Sequence, residues 1–368
     1  MNTKKKIFVG VSGGVDSSVA LALLQKQNYD VTGVFLKTWY PEWMQCDWKE
    51  ERRSAMRVCA TLGVSFLTLD CEKEYKEEVV DYMIREYSIG RVPNPDIFCN
   101  KFVKFGIFLK KALEIGADFV ATGHYARVRE FSISNLQFSN KNTKYELLES
   151  VDKEKDQSYF LYTLGQEELK HTLFPVGGMI KSEVRKLAQR FGLPTATKKD
   201  SQGLCFIGKV DMKDFLAHYI PKKRGVVLNT NGDIIGHHDG AVLYAIGERH
   251  GFTITNKTPN DPRYFVVSKD IKKNTLTVAS QESESEKVNN IKEIFIKNLH
   301  FISGNSNGGR TSIRIRYHQK PQFCVIEKRD GGYSIIFDIL QNAISVGQSA
   351  VFYDGEICLG GGIIDTVI

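Results

Sequence analysis

The sequence predicts an α/β protein in which a doubly wound parallel sheet is followed by a small β-rich domain and a C-terminal antiparallel β-barrel. Apolar, strand-like runs alternate with helix-like segments up to about residue 210, which is typical of βαβ units. Beyond that point, short alternating strands and glycine turns replace the helices. For a chain of 368 residues we expect three domains, with bounds at 1–209, 210–286 and 287–368.

The composition is that of an ordinary globular protein, with 42% hydrophobic and 25% charged residues. No apolar run is long enough to cross a bilayer, and the basic start of the chain leads into a strand rather than a signal peptide. We therefore expect a cytoplasmic protein without membrane contact. The net charge of +7 permits a polyanionic partner. The seven cysteines lack C-x-x-C spacing, so neither a disulfide scaffold nor a zinc site fits them.

The first predicted strand, Ile7–Val9, leads through a glycine-rich turn into an apolar helix that includes residues 19–24. The turn reads GVSGGVDSS over residues 10–18. Its adjacent glycines, Gly13 and Gly14, let the backbone approach a ligand closely, and amide groups at the start of a helix bind anions. The turn is therefore predicted to hold a phosphate group.

This phosphate-binding turn differs from a Walker A loop, because it does not end in Gly-Lys-Ser/Thr. Asp16 stands in the region where that loop carries positive charge. A carboxylate beside a phosphate is explained if a magnesium ion lies between them. Asp16 is therefore a candidate Mg2+ ligand.

The remaining elements of the first domain complete the predicted parallel sheet. Further strands are predicted at 30–36, 65–69 and 119–123, and helices at 50–62, 73–87, 101–114, 157–172 and 181–191. A long hairpin is predicted at 127–150, with a polar tip at 132–144. Ligands of doubly wound sheets bind beyond the carboxyl ends of the strands. We therefore expect Gly123 and His124 to face the same crevice as the phosphate-binding turn.

The second half of the chain is predicted to be rich in short strands. They include 225–228, 265–267 and 275–279, with a hairpin turn at Asn231–Gly232. A polar linker is predicted at 281–287, and the strands that follow it are separated by turns at 308–309 and 331–332.

One strand of the last domain carries alternating arginines. Arg314 and Arg316 alternate with Ile313 and Ile315, so one face of this strand is predicted to be basic. With Tyr317 as a stacking surface, that face suits an RNA backbone. The alternative is the solvated outer face of a barrel.

Two strings contain the cysteines of interest. The first, NPDIFCNK at 94–101, places Cys99 near the start of a helix that Asp96 and Asn100 can cap, with lysines close by. These features favour a thiolate, and a buried structural cysteine is the alternative. The second string, DSQGLCF at 200–206, places Cys205 after a glycine bend, and a core cysteine is again the alternative.

Together the phosphate-binding turn and the two cysteine strings resemble the tRNA-specific 2-thiouridylases (MnmA-type). These are ATP pyrophosphatases with an adenine nucleotide hydrolase-like fold. The resemblance runs nearly end to end and includes SGGVDSS, NPDIFCN, ATGHYAR at 121–127, KDQSYFLYTL at 155–164, LCFIG at 204–208 and GQSAVFYDGEICLGGGII at 347–364. It implies a sulfurtransferase that adenylates the C2 oxygen of the wobble uridine in tRNA. Persulfide sulfur then replaces that oxygen, giving 2-thiouridine, AMP and pyrophosphate.

The resemblance also implies which residues form the site. Cys99 would be the catalytic nucleophile, and Cys205 would carry the persulfide. ATP would lie on Gly10, Val11, Ser12, Gly13, Gly14, Val15, Asp16, Ser17, Leu36 and Gly123. tRNA would lie on Asn94, Pro95, Asp96, His124, Lys155, Asp156, Gln157, Arg316, Tyr317 and Gln348.

Asp96 is the carboxylate nearest to Cys99 in the sequence, so it is a candidate for proton transfer, with helix capping as the alternative. The implied cofactors are ATP, Mg2+ and persulfide sulfur from an external donor. The implied partners are tRNA and a sulfur-donor or sulfur-relay protein, and a monomer is expected.

Residues 38–48 depart from the family pattern, because the usual pair of adjacent acidic residues is missing there. A metal or tRNA role for this segment is therefore not implied. Two other functions remain as alternatives. One is a small-molecule ligase of the ATP-pyrophosphatase class, which would need neither the second cysteine nor the C-terminal barrel. The other is a non-catalytic RNA-binding protein that senses nucleotide.

Overall fold

The structure, a computed structural model, describes residues 4–44, 48–133, 142–199, 211–255, 263–280, 290–304 and 309–368. Its α-helices are α1 (Val15–Lys26), α2 (Trp48–Leu62), α3 (Glu72–Tyr75), α4 (Tyr82–Ser88), α5 (Pro95–Phe98), α6 (Leu109–Glu114), α7 (Gln166–Lys170), α8 (Lys181–Arg190) and α9 (Met212–Ala217). Two π-helical stretches, Lys76–Asp81 and Cys99–Phe108, join α3 to α4 and α5 to α6. None of the described helices is long and apolar enough to span a membrane.

The strands fall into three sheets. In chain order they are β1 (Lys6–Gly10), β2 (Asp30–Lys37), β3 (Ser65–Asp70), β4 (Phe119–Ala121), β5 (Ala126–Ile133), β6 (Asn142–Glu149), β7 (Thr172–Leu173), β8 (Gly225–Leu228), β9 (Ile234–His238), β10 (Thr253–Ile254), β11 (Tyr264–Asp270), β12 (Thr275–Ser280), β13 (Ile291–Ile296), β14 (Leu299–Phe301), β15 (Gly309–Arg314), β16 (Gln322–Arg329), β17 (Gly332–Gln341), β18 (Ser349–Asp354), β19 (Ile357–Ile363) and β20 (Thr366–Val367).

The first sheet is parallel and has the strand order β3-β2-β1-β4-β7. The prediction of a doubly wound parallel sheet is therefore confirmed. β1 lies between β2 and β4, so successive connections leave it on opposite sides. In such sheets this arrangement opens a crevice at the carboxyl ends of the central strands. The phosphate-binding turn follows β1 directly and lies at that edge.

Helices cover both faces of β1 because its side chains alternate between them. Ile7 and Val9 pack in a cluster with Val184 of α8, whereas Phe8 packs in a second cluster with Phe108. All five side chains are at most 4% exposed. The central strand is therefore fixed from both sides, which holds the turn that follows it in place.

The second sheet has the strand order β10-β9-β8-β12-β11, in which β8 and β12 are parallel and the other pairs are antiparallel. The predicted hairpin turn at Asn231–Gly232 joins β8 to β9, and Gly232 adopts the left-handed region at φ +91°. The helix α9, which precedes this sheet, was not predicted.

The third sheet runs β20-β13-β17-β16-β15-β18-β19-β6-β5, with β14 paired to β19. This confirms an antiparallel β-rich C-terminal part. Within the described residues the pairing forms an open path from β20 to β5, so closure into the expected barrel is not seen there.

The predicted long hairpin forms β5 and β6, and the part of its tip at 134–141 lies outside the described residues. Its β6 strand pairs with β19 through Leu148 and Ile357. A hairpin from the first part of the chain therefore extends the C-terminal sheet, which the sequence did not predict. The predicted linker at 281–287 also lies outside the described residues.

The helix predicted at 157–172 is wrong over most of its length. A 3-10 turn spans Ser158–Phe160, and the only α-helical residues are those of α7. The aromatic rings between these elements are buried instead. The Tyr159 hydroxyl donates to the Ser349 carbonyl at 2.8 Å, and the Tyr162 hydroxyl lies 3.2 Å from Ser349 Oγ. Contacts with β18 therefore outweigh the helical tendency of this stretch.

Candidate active site

The phosphate-binding turn has the geometry of an anion cradle. Gly13 adopts φ +73°, and a Cβ there would meet the Glu51 carbonyl oxygen at 2.8 Å, so only glycine fits. Gly14 precedes the first residue of α1, Val15, with extended backbone angles. The amide groups of the first turn of a helix have no acceptor within the helix and favour a nearby anion. The backbone is therefore built to receive negative charge.

The turn after β4 packs directly on this cradle. A Cβ at Gly123 would lie 2.5 Å from the backbone nitrogen of Ser17, so this close approach requires glycine. Leu36 lies near the end of the neighbouring strand β2 and is 7% exposed. The structure thus brings residues 10–17, Leu36 and Gly123 to one edge of the parallel sheet.

The carboxylate of Asp16 has two partners from distant parts of the chain. The Tyr125 hydroxyl donates to it at 2.8 Å, and Lys181 Nζ donates to its two oxygens at 2.7 and 2.8 Å. A second lysine, Lys198, donates from Nζ to the Gly13 carbonyl at 3.0 Å. These three partners were missed by sequence reasoning, because long-range pairing leaves no local pattern.

Asp16 is also the residue that would hold a magnesium ion. Among the described residues, no group of three or more His, Cys, Asp or Glu side chains could hold a metal. Mg2+ commonly binds through one or two carboxylates and substrate phosphates, and it keeps several waters. A single carboxylate beside an anion cradle fits that mode of binding.

His124 links the turn that contains Gly123 to the Cys99 helix, by which we mean α5 and the π-helical stretch Cys99–Phe108 that continues it. Its Nδ1 lies 2.6 Å from Thr122 Oγ1, and its Nε2 lies 3.3 Å from Lys104 Nζ. Burial, with the charge of Lys104 as a further cause, lowers the pKa of His124 well below its ordinary value of 6.5. The imidazole is therefore neutral, with Nε2 accepting from the ammonium and Nδ1–H donating to the threonine.

The Cys99 string forms a capped helix that begins at Pro95. The side chain of Asn94 accepts from the Asp96 backbone amide at 3.1 Å and caps the helix. The expectation that Asp96 and Asn100 cap it is wrong, because Asn100 lies within the helix and donates to the Phe160 carbonyl at 3.0 Å. Cys99 is 1% exposed and lies in the second turn, so its sulfur is enclosed in this structure.

Cys205 lies outside the described residues, as does the whole DSQGLCF string. The segment that carries it leaves the described structure after Lys199 and re-enters it at Asp211. Lys198, which contacts the phosphate-binding turn, lies just before this segment. The last described residues before this segment therefore lie beside the anion cradle.

Several candidate tRNA residues meet where the C-terminal sheet contacts the Cys99 helix. The rings of Phe160 and Tyr317 have centroids 4.4 Å apart, and the Gln348 side chain donates to the Val92 carbonyl at 2.8 Å. Burial raises the pKa of Tyr317 to about 12, and the charges of nearby carboxylates, including Asp96, act in the same direction.

Asp156 and Gln157 fix the chain segment that leads to Phe160. Asp156 is 4% exposed and accepts from Ser150 N–H at 2.9 Å and from the Ser158 hydroxyl at 2.8 Å. The Gln157 side-chain oxygen accepts from the Tyr125 amide at 3.0 Å. Lys155 belongs to the turn that precedes them.

The prediction that Arg314 and Arg316 share one basic strand face is wrong. Strand β15 ends at Arg314, and Arg316 lies in the following turn, where its guanidinium donates to the Ala343 carbonyl. Arg314 is ion-paired with Glu149 and Asp156, and these three side chains are 15%, 8% and 4% exposed. Glu149 is the last residue of β6, and Asp156 lies between β6 and the 3-10 turn at Ser158–Phe160, so the Arg314 charge is neutralised internally by residues outside its own strand.

The segment that departs from the family pattern is 38–48. The described structure includes all of it except residues 45–47. Its Trp43 ring stacks on His218, with centroids 3.6 Å apart, and its centroid lies 5.8 Å from that of Phe215 in α9. These aromatic contacts attach the first part of the chain to the helix that follows the Cys205 segment.

Family models match three consecutive parts of the chain. Residues 5–209 match a tRNA methyl transferase HUP domain, residues 213–280 a tRNA methyl transferase PRC-barrel domain, and residues 291–364 an aminomethyltransferase beta-barrel domain. The first of these models alone covers more than half of the chain.

Similar curated proteins match over almost the full length. The tRNA-specific 2-thiouridylase MnmA 2 of Geobacillus kaustophilus (strain HTA426) is 42% identical, covering 98% of this chain and 95% of that protein. The tRNA-specific 2-thiouridylase MnmA of Shewanella amazonensis (strain ATCC BAA-1098 / SB2B) is 43% identical, covering 100% and 96%. Among solved structures, the U34-tRNA thiolase NcsA of Methanococcus maripaludis is 19% identical with a TM-score of 0.35, covering 60% of this chain and 69% of that chain. The two relatives and the three family models all match along nearly the whole chain. The chain belongs to the tRNA-specific 2-thiouridylase MnmA family.

Proposed function

We propose that this chain is a tRNA-uridine 2-sulfurtransferase. It uses ATP to adenylate the C2 oxygen of the wobble uridine and then replaces that oxygen by sulfur, releasing AMP and pyrophosphate. The observation that carries the proposal is the Lys104–His124 contact, which joins the Cys99 helix to the turn packed on the phosphate cradle. Full-length relatives named 2-thiouridylases support the same reaction.

The activation step is assigned to the edge of the parallel sheet. ATP is proposed to lie with its phosphates on residues 10–17 and with its adenosine near Leu36 and Gly123. Mg2+ held at Asp16 would neutralise charge that develops on the departing pyrophosphate. The cradle amides add fixed donors to the same phosphates. Adenylation is needed because the uridine C2 oxygen is a poor leaving group and AMP is a good one.

The sulfur-transfer step is assigned to two cysteines. An external donor protein loads a sulfane sulfur onto Cys205 as a persulfide, and the outer sulfur becomes bonded to C2 while AMP leaves. The Cys99 thiolate attacks Cys205 Sγ, which breaks the persulfide S–S bond and leaves a Cys99–Cys205 disulfide. An external thiol then supplies two electrons to reduce that disulfide. Asp96 is proposed to move a proton near Cys99.

Substrate recognition is assigned to the junction between the Cys99 helix and the C-terminal sheet. The proposed tRNA contacts are Asn94, Pro95, Asp96, His124, Lys155, Asp156, Gln157, Arg316, Tyr317 and Gln348. Their support is that Asn100, next to Cys99, donates to the Phe160 carbonyl, and that the Phe160 ring packs against Tyr317. Because Asp156 is buried and ion-paired, its proposed role is to orient the Lys155–Gln157 turn rather than to lie open to solvent.

The organisation of the chain is part of the same proposal. We propose three units, 1–209, 210–286 and 287–368, acting as a cytoplasmic monomer that meets a sulfur-donor or sulfur-relay protein. The hairpin β5–β6 belongs to the first unit in sequence and to the third sheet in space.

The proposal is tested by AMP formation from ATP in the presence and absence of tRNA. AMP should form only when a tRNA with an unmodified wobble uridine is supplied, and a transcript with cytidine at that position is the matched control. AMP formation that is independent of tRNA would favour a small-molecule ligase. Nucleotide binding without any AMP formation would favour a non-catalytic RNA-binding protein.

A further inference from the structure

Two lysines contact the phosphate-binding turn, although the turn itself contains none. Lys181 Nζ lies within 2.8 Å of both oxygens of Asp16, and Lys198 Nζ lies 3.0 Å from the Gly13 carbonyl. The Lys181 side chain is 13% exposed, and that of Asp16 is 31% exposed. Both ammonium groups therefore lie next to the phosphate-binding turn, whose backbone amides favour negative charge.

The backbone of Lys181 is fixed while its side chain can move. Its amide donates to Asp152 at 2.8 Å, and it begins α8, which is anchored in the core through Val184 and Ala188. The ammonium stands at the end of four rotatable bonds. A change of partner at the ammonium therefore needs only a change of rotamer.

The ion pair and the proposed metal site compete for the same carboxylate. An ammonium that bonds both oxygens of Asp16 occupies the positions at which a divalent cation would be coordinated. When the carboxylate is taken by a cation, the lysine is repelled from it and attracted by the adjacent phosphates.

We propose that Lys181 is an exchangeable counter-ion of Asp16, which moves to the ATP phosphates when Mg-ATP binds, and that Lys198 is a second phosphate ligand. This inference rests on the proposed function, since it assumes that the cradle binds ATP. Positive charge that a Walker A loop supplies from within the loop is here supplied by two residues far along the chain. In the unliganded protein, Lys181 keeps the partly buried Asp16 neutralised.

The first test is the affinity for Mg-ATP, measured by titration calorimetry without tRNA. Lys181→Met and Lys198→Met should each weaken binding by about tenfold or more, because each removes one charged hydrogen-bond donor. Lys181→Arg keeps the charge and should retain most of the affinity. Lys186→Met is the matched control, since Lys186 is exposed on the same helix and the charge change is identical.

The second test uses inorganic tripolyphosphate in the presence of EDTA, so that no metal competes for Asp16. Asp16→Asn should bind this probe more tightly than the unmodified chain, because the Lys181 ammonium is released from its carboxylate. Adding Lys181→Met to Asp16→Asn should abolish the gain.

The outcomes separate this inference from the proposed function. If the unmodified chain binds no Mg-ATP, the proposed function and the inference both fail. If it binds Mg-ATP while both Met variants bind as tightly as Lys186→Met, the proposed function stands and the inference is overturned. Equal tripolyphosphate affinity in Asp16→Asn and in the double variant would show that Lys181 has only a structural role.

Discussion

Lys104 Nζ and His124 Nε2 lie 3.3 Å apart, and this contact joins the helix that carries Cys99 to the turn that carries Gly123. Gly123 in turn packs on the backbone of Ser17, in the first turn of α1. The two chemical functions proposed here, adenylation and sulfur transfer, are therefore connected through a short chain of contacts, in which His124 is buried and Lys104 and Gly123 are partly buried.

The Lys104–His124 contact predicts a pH dependence of stability. His124 has a pKa well below 6.5 in the folded chain, so the unfolded state binds more protons as the pH falls through that value. The free energy of unfolding should therefore decrease on acidification below about pH 6.5. In Lys104→Met this decrease should be smaller, because one cause of the lowered pKa is removed. Urea unfolding at a series of pH values, with NMR titration of the imidazole, checks this, and an unchanged His124 titration in Lys104→Met would contradict it.

The buried ion-pair network predicts a large stability difference between two arginines. Arg314→Met removes the ion pair of the buried Asp156 carboxylate and leaves Glu149 paired only with the exposed Lys153, so it should lower the free energy of unfolding by about 3–5 kcal/mol. Arg310→Met is the matched control, because Arg310 is 66% exposed and pairs with Asp338 at the surface. That variant should cost at most about 1 kcal/mol. Equal losses in urea unfolding would show that the Arg314 network is not a stabilising element.

The burial of Cys99 predicts that its reactivity depends on ligands. Cys99 is 1% exposed, so alkylation by iodoacetamide should be slow in the unliganded protein. Addition of ATP analogue and tRNA should accelerate it, because the proposed reaction requires its sulfur to reach Cys205. Cys71 is the internal control, since it is buried and burial raises the pKa of its thiol to about 12. Peptide mass spectrometry resolves the two sites, and a Cys99 rate that ligands leave unchanged would argue against the required movement.

The position of Arg316 predicts an effect on tRNA binding. Arg316→Ala should weaken tRNA affinity and reduce the slope of log K against log salt by about one unit. Arg329→Ala is the control, because Arg329 is an exposed arginine of β16 that pairs with Glu327. Filter binding over a range of salt concentrations measures both. A slope that matches the control would remove Arg316 from the proposed RNA surface.

Local signals were sufficient for the phosphate-binding turn and for four strands of the first sheet, β1 to β4, whereas the short strand β7 was not predicted. The turn is defined by neighbouring residues, since Gly13 and Gly14 set the backbone and Val15 begins the helix, so its form follows from a short stretch of sequence. Strand β2 was likewise predicted to within one residue, because a run of buried apolar residues is a strong periodic signal.

Features that depend on long-range contacts could not be predicted. The partners of Asp16 come from residues 125 and 181, and the carboxylates that neutralise Arg314 come from residues 149 and 156. The helix predicted at 157–172 failed for the same reason, because the Tyr159 and Tyr162 hydroxyls lie at Ser349, far along the chain. The role proposed for Cys205 stays a prediction, since that residue lies outside the described structure.

The most direct measurement is mass spectrometry of tRNA nucleosides after incubation with the protein, ATP, Mg2+, a thiol reductant and a persulfide donor. The unmodified chain should convert wobble uridine into 2-thiouridine. Asp16→Ala should form neither AMP nor 2-thiouridine, Cys205→Ser should carry no transferable sulfur, and Cys99→Ser should load sulfur onto Cys205 without completing turnover. Absence of 2-thiouridine with the unmodified chain, or normal turnover by Cys99→Ser, would contradict the account.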